Sequence, residues 1–163
     1  MKTLALAACV MTIPVSAFSH EGVHINDAYV RSTNPAVAAV FLELENHASV
    51  DCTLQSASTD AAARTELHTN VEEDGVMKMV ALESIAIPSG QTHALERGGD
   101  HIMLMGLESP LSDGDKVTLT LDFGPCGQET AEAVVDNARQ PSDAGAGHAE
   151  HGMDHGSMHK AAE

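Results

Sequence analysis

Apolar and polar residues alternate along most of this chain with a period of two, the mark of half-buried strands. Residues 36–46 (AVAAVFLELEN) put Val40, Leu42 and Leu44 on one side, with Glu43 and Glu45 on the other. Residues 116–123 repeat the pattern through Val117, Leu119, Leu121 and Phe123, after the turn residues Asp113-Gly114-Asp115. Shorter runs predict strands over 64–69 and 76–82, on either side of the turn-like Glu72-Glu73-Asp74-Gly75. Further strands are expected over 84–87, stopped by Pro88-Ser89-Gly90, over 101–105 after Gly98-Gly99-Asp100, and over 130–136. No segment sustains an apolar period of 3.6 residues with caps. Short strands between Gly, Pro and Asp turns predict an all-β fold, an antiparallel sandwich or barrel.

The two ends of the chain do not share this pattern. Lys2, the apolar run 4–15 and the small residues Val15-Ser16-Ala17 or Ala17-Phe18-Ser19 read as a signal peptide over 1–19, cleaved after Ala17 or Ser19. The run is too short to span a bilayer, which needs roughly 20 residues, so no stable membrane insertion is expected. Leu6-Ala7-Ala8-Cys9 resembles a lipid-attachment box. Cys9 would nevertheless leave only eight residues of signal before it, with the apolar run continuing past it, so a cleaved, exported, soluble protein is the expectation. The folded body is then 20–139. Residues 140–163 contain no Leu, Ile, Val or Phe and predict a disordered tail.

A length of 163 residues suits one domain. Eight basic against 24 acidic residues give a formal charge of −16, which excludes nucleic-acid binding by phosphate neutralisation and a polybasic membrane surface. With no Trp and one Tyr (Tyr29), stacking platforms for bases are poorly supplied. Ten His and eight Met are the unusual entries in this composition, and they are metal ligands. Export leaves two cysteines, Cys52 and Cys126, in an oxidising compartment, where a disulfide is the simplest expectation. A thiolate metal site is disfavoured, because neither lies in a Cys-x-x-Cys pair and no His or Met follows Cys126 within six residues. No nucleophile elbow or His-Glu-x-x-His pairing is visible, so the chain reads as a binding protein and not an enzyme.

The chemistry concentrates in two places. In the body, His68 ends one predicted strand, Met79 sits in the next, and His101 and Met103 share a third. Two residues apart on a strand, His101 and Met103 face one side while Ile102 and Leu104 face the other. Met77 and Met105 share faces with Met79 and Met103 in the same way. A lone Met is usually a core filler and a lone His a hydrogen-bonded residue. Two imidazoles with two thioethers form a set whose softness suits Cu(I), excludes calcium and magnesium, and is unlike the thiolate or carboxylate sets of zinc. In the tail, His148, His151, His155 and His159 interleave with Met153 and Met158. This segment is expected to take Cu(II) through imidazole and Cu(I) through thioether.

The run His68-x10-Met79-x21-His101-x-Met103 resembles, without gap or insertion, the signature of the PCu(A)C-type periplasmic copper chaperones. The phrases Thr65-Glu66-Leu67-His68, Met77-Lys78-Met79, Gly98-Gly99-Asp100-His101-Ile102-Met103-Leu104-Met105-Gly106-Leu107 and Leu111-x-Asp113-Gly114-Asp115 are similar as well, and the likeness covers about 28–135. The resemblance implies a cupredoxin-like Greek-key barrel or sandwich, with Cu(I) bound by His68, Met79, His101 and Met103 near one exposed end. It further implies transfer towards the CuA centre of cytochrome c oxidase, with an apo CuA-bearing oxidase subunit or a Sco-type assembly factor as protein partner. A blue-copper site, which needs a Cys thiolate beside two His, is absent, since Cys126 precedes Gly127-Gln128-Glu129. Two other functions stay open on the sequence: a copper-sequestering or resistance protein working through the tail, and a plain β-sandwich adhesion module.

Overall fold

A computed structural model describes residues 22–140. The expected signal peptide (1–19) and all six expected tail ligands, His148, His151, Met153, His155, Met158 and His159, lie outside the described residues. Eleven strands follow in order: β1 (Val23–Asn34), β2 (Val37–Asn46), β3 (Cys52–Leu54), β4 (Ser56–Ser58), β5 (Ala62–Glu73), β6 (Val76–Leu82), β7 (Ile85–Ile87), β8 (Thr92–Leu95), β9 (His101–Leu107), β10 (Lys116–Asp122) and β11 (Gln128–Val135), with one 3-10 turn at Gly124–Cys126. The main sheet runs β4-β10-β11-β1-β2-β9-β5-β6, and β8 adds to β2. β3 and β7 pair separately. All pairings are antiparallel except β1 with β11. The Thr65 hydroxyl donates to the Ala57 carbonyl and ties β5 back to β4, so the sheet curls round its core. Among the described residues no helix is long and apolar enough to cross a membrane.

The alternation seen in the sequence points where it predicts. Val40, Leu42 and Leu44 of β2, Ile102 and Leu104 of β9, and Val117, Leu119 and Leu121 of β10 are buried together, with Phe123 between them. Each such side chain stabilises the fold by about 1.5–3 kcal/mol relative to exposure. The expected strands over 64–69 and 101–105 prove longer. β5 continues to Glu73 because solvated glutamates extend a hairpin arm without breaking it. The turn narrows to Asp74-Gly75, whose φ values of 55° and 77° belong to a two-residue type I′ hairpin. β1, β3, β4 and β8 lie outside the predicted strands. β1 hides its period behind a bulge between Asn26 and Tyr29, with Asp27 at φ 54°. The other three are only three or four residues long.

The Cys52 and Cys126 sulfurs lie 2.02 Å apart, joining β3 to the 3-10 turn across 74 residues of sequence. Beside them the buried Asn46 side chain donates to the Ile87 and Val50 carbonyls (2.8 and 2.9 Å) and accepts from the Ala48 N–H (2.9 Å). The loop after β2 is thereby fixed from within.

Candidate metal centre

The candidate ligands project from the face of the sheet turned away from this core. Register places His68 of β5 opposite His101 of β9, and Glu66 opposite Met103. On the other side of β5, Asn70 stands opposite Met79 and His68 opposite Ala81 of β6. Directly paired residues share a face, as do residues two apart, so His68, His101, Met103 and Met79 all project to the same side. Core-facing Leu67, Ile102 and Leu104 alternate with them.

The two imidazoles are prepared for a ligand. The His68 and His101 ring centroids are 5.9 Å apart. His68 Nε2 lies 2.9 Å from Glu66 Oε2, and a carboxylate only accepts, so Nε2 carries the proton and Nδ1 the lone pair. That Nδ1 is buried and, among the described residues, has no hydrogen-bond partner. An unsatisfied buried nitrogen costs about 1–3 kcal/mol, a cost that a coordinated ion would relieve. His101, 3% exposed, donates from Nδ1 to the Gly99 carbonyl at 3.0 Å, which leaves the lone pair on Nε2. A carboxylate on one ring and a carbonyl on the other is the usual outer support of metal-binding histidines. The hydrogen bond from His68 holds the Glu66 carboxyl below its ordinary range; its own desolvation opposes this, and the Arg64 charge assists.

Neighbouring groups keep this geometry in place. Asn70 Nδ2 also reaches the Gly99 carbonyl (3.4 Å), and His93 pairs with Asp100 at 2.9 Å, bracing the loop before β9. Phe41 packs against His101 with ring centroids 6.0 Å apart, and Tyr29 against Phe41 at 5.1 Å. Burial raises the Tyr29 phenol above its ordinary range, while Arg139, Arg97 and Arg31 pull the other way.

The thioethers differ in availability. Arg64 Nη2 donates to Met105 Sδ at 3.3 Å, which engages that sulfur and leaves Met103 as the open one on β9. Met79, 50% exposed, is diagonal to His68, whereas Met77 stands opposite Glu72, one step further away. Met103 and Met79 flank the histidine pair from opposite corners, their α-carbons about 16 Å apart by strand spacing and rise. Simultaneous ligation by both therefore requires the β5–β6 hairpin to lean over His68. Among the described residues no group of three or more His, Cys, Asp or Glu is placed to hold a metal, and the two cysteine sulfurs are bonded to each other. The donors gathered here are two imidazoles with thioethers, a set that fits Cu(I). Sequence reasoning passed over Glu66, which period-two spacing before His68 already puts on the same face. It also passed over Asn70, Asp100 and Phe41, whose places depend on register between distant strands.

A family model described as "Putative lipoprotein LpqE-like" matches residues 23–135. The chain belongs to the LpqE-like family. Lxx21020 of Leifsonia xyli subsp. xyli (strain CTCB07), also described as a lipoprotein of that provisional kind, is 35% identical to this LpqE-like chain over 125 residues, 74% of this chain and 75% of its own length. The copper-bound PCuAC domain from PmoF2 superposes with a TM-score of 0.59 at 18% identity, covering 71% of this chain and 92% of that one. CuI-DR1885 from Deinococcus radiodurans gives a TM-score of 0.55 at 29% identity, covering 72% and 82%. The fold of this LpqE-like protein is thus the all-β, cupredoxin-like sandwich of PCuAC domains.

Proposed function

We propose that this protein is a periplasmic copper chaperone that holds Cu(I) between His68 Nδ1, His101 Nε2 and the thioethers of Met103 and Met79, and releases it to an apo acceptor. The observation that carries this reading is the buried, partnerless Nδ1 of His68. His68 stands opposite His101 across one strand pair, and its ring proton is fixed on Nε2 by Glu66. Solved PCuAC relatives of this fold that carry copper support the metal. An exposed thioether (Met79) and a half-buried one (Met103), beside the half-buried His68 and buried His101 imidazoles, form a site open on one side, without the thiolate that would hold the ion for electron transfer. Such a site binds and hands on, and no reaction step is assigned to it.

The acceptor we favour is an apo CuA-bearing oxidase subunit, or a Sco-type factor acting before it. The competing function is sequestration, in which the His/Met-rich tail (His148, His151, Met153, His155, Met158, His159) loads several ions and keeps them. Copper stoichiometry and exchange separate the two. A chaperone carries one tightly bound Cu(I) in the body and loses it to apo acceptor within the assay; a sequestering protein retains several. For location we propose export, with the mature chain starting after Ala17 or Ser19. The lipoprotein description of the relatives makes a lipid on Cys9 the competing outcome, and the intact mass of the mature protein distinguishes them.

A further inference from the structure

The chain carries a net −16, and of its four arginines, Arg31, Arg64, Arg97 and Arg139, register places Arg31 and Arg64 on the face of the candidate ligands. Arg31 stands opposite Ala39, and Ala39 opposite Met103, in one row across β1, β2 and β9. Arg64 lies in the next row, opposite Met105. Arg139 sits over the Tyr29 ring, 4.3 Å from its centroid, and pairs with Asp27. Arg31 and Arg97 line an open cleft of about 300 Å³, together with Thr33, Phe41 and Met103. Arg64 and Arg139 have carboxylate partners; among the described residues Arg31 and Arg97 have no ion pair. Two unneutralised guanidinium groups beside a candidate copper ligand make a receptor for carboxylates.

The described chain ends beside Tyr29, which packs against Phe41 in the wall of this cleft. Arg139, held by Tyr29 and Asp27, and Gln140, whose side-chain amide donates to the Ala138 carbonyl, are the last described side chains before residues 141–163. Those residues hold Asp143, Glu150, Asp154 and Glu163 against the single Lys160. The contacts Arg139–Tyr29, Tyr29–Phe41 and Phe41–His101 put His101 within about 15 Å of the Arg139 guanidinium. The eight residues 141–148 can extend to roughly 27 Å. We propose that the C-terminal segment 141–163 docks along this cleft, with its carboxylates on Arg31 and Arg97. On the copper reading above, this would bring the tail's imidazoles and thioethers to Met103 and His101. Tethering puts the segment at an effective concentration in the millimolar range, so weak carboxylate–guanidinium contacts suffice.

The test uses the full, metal-free, disulfide-bonded chain, so that it does not depend on copper. Backbone amide spectra are compared between the wild type and a tail variant, D143N/E150Q/D154N. Docking predicts shift differences concentrated in 31–33, 37–41 and 97, which vanish at high salt and vanish again when both chains carry R31A/R97A. Cleft amides at identical positions in wild type and tail variant would overturn the proposal, as would differences spread evenly over the sheet. An acidic partner protein as the true occupant of the cleft gives the first of these negative results. Cu(I) affinity of the R31A/R97A chain, measured by chelator competition, is expected to stay within about twofold of wild type. A large fall there would mean that the arginines support the metal site itself, and would also overturn docking as their role.

Discussion

Replacing Glu66 by alanine removes the acceptor that keeps the His68 proton on Nε2. In the folded protein one carboxylate serves two donors, with Oε1 2.9 Å from Arg64 Nε and Oε2 2.9 Å from His68 Nε2. Without it the His68 ring is free to rotate, to exchange tautomers, and to turn its lone pair away from His101. Loss of such outer support typically costs 10–100-fold in metal affinity, which is roughly 1.4–2.7 kcal/mol. Glu66→Gln is the informative companion. Its single amide oxygen can accept from His68 but cannot also serve Arg64, so the loss should be a few-fold. Cu(I) affinity is read by competition with a chromophoric Cu(I) chelator under anaerobic conditions, with thermal unfolding as the check on folding. Glu66 sits on the sheet surface, so Tm should shift by only a few degrees. A Glu66→Ala protein that folds normally and binds Cu(I) as tightly as wild type would refute the assignment of Nδ1 as the ligating atom.

Reduction of the Cys52–Cys126 bond should cost about 4 kcal/mol through the 74-residue separation it closes, lowering Tm by roughly 15 °C for a body of this size. Cu(I) affinity should not change, because β3 and the 3-10 turn contribute nothing to the metal face; a parallel loss of copper would contradict that separation. Cu(I) should slow hydrogen exchange at the β6 amides 76–80, since Met79 reaches the ion only if the hairpin leans in. Unaltered exchange would mean that Met79 is not a ligand. Residues 148–159 should capture Cu(II) at neutral pH and release it near pH 5, because imidazole with an ordinary pKa of about 6.5 must be neutral to ligate. A pH-independent Cu(II) titration of the full chain would rule the tail histidines out. Leu104→Ala, in the core directly behind the site, should destabilise by about 2–5 kcal/mol, measured by urea unfolding.

Much of the fold was legible wherever one face of a strand is buried and the other is wet. In β2 and β10 the period-two alternation survives intact, and those strands fall where the sequence puts them. It failed in β1, where the bulge at Asp27 breaks the period, and in β3 and β4, whose three residues cannot establish one. Within the site, His101 and Met103 were readable as one face because they are two apart on the same strand. Their meeting with His68 is set by the β5–β9 register, 33 residues apart in sequence, and local pattern says nothing about it. The same non-local pairing hid the arginine row through Arg31, Ala39 and Met103. Glu66 is the instructive omission: its spacing from His68 was visible, but only the hydrogen bond reveals what it does.

The ligand set of the body site can be read directly from the bound metal. X-ray absorption at the copper edge of the Cu(I)-loaded protein should show mixed nitrogen and sulfur scattering, two of each. In a Met79→Ile/Met103→Ile chain the sulfur contribution should disappear, and Cu(I) affinity should fall at least tenfold, about 1.4 kcal/mol, with the fold retained. Unchanged affinity and unchanged sulfur scattering in that double variant would contradict the assignment and move the copper to other donors.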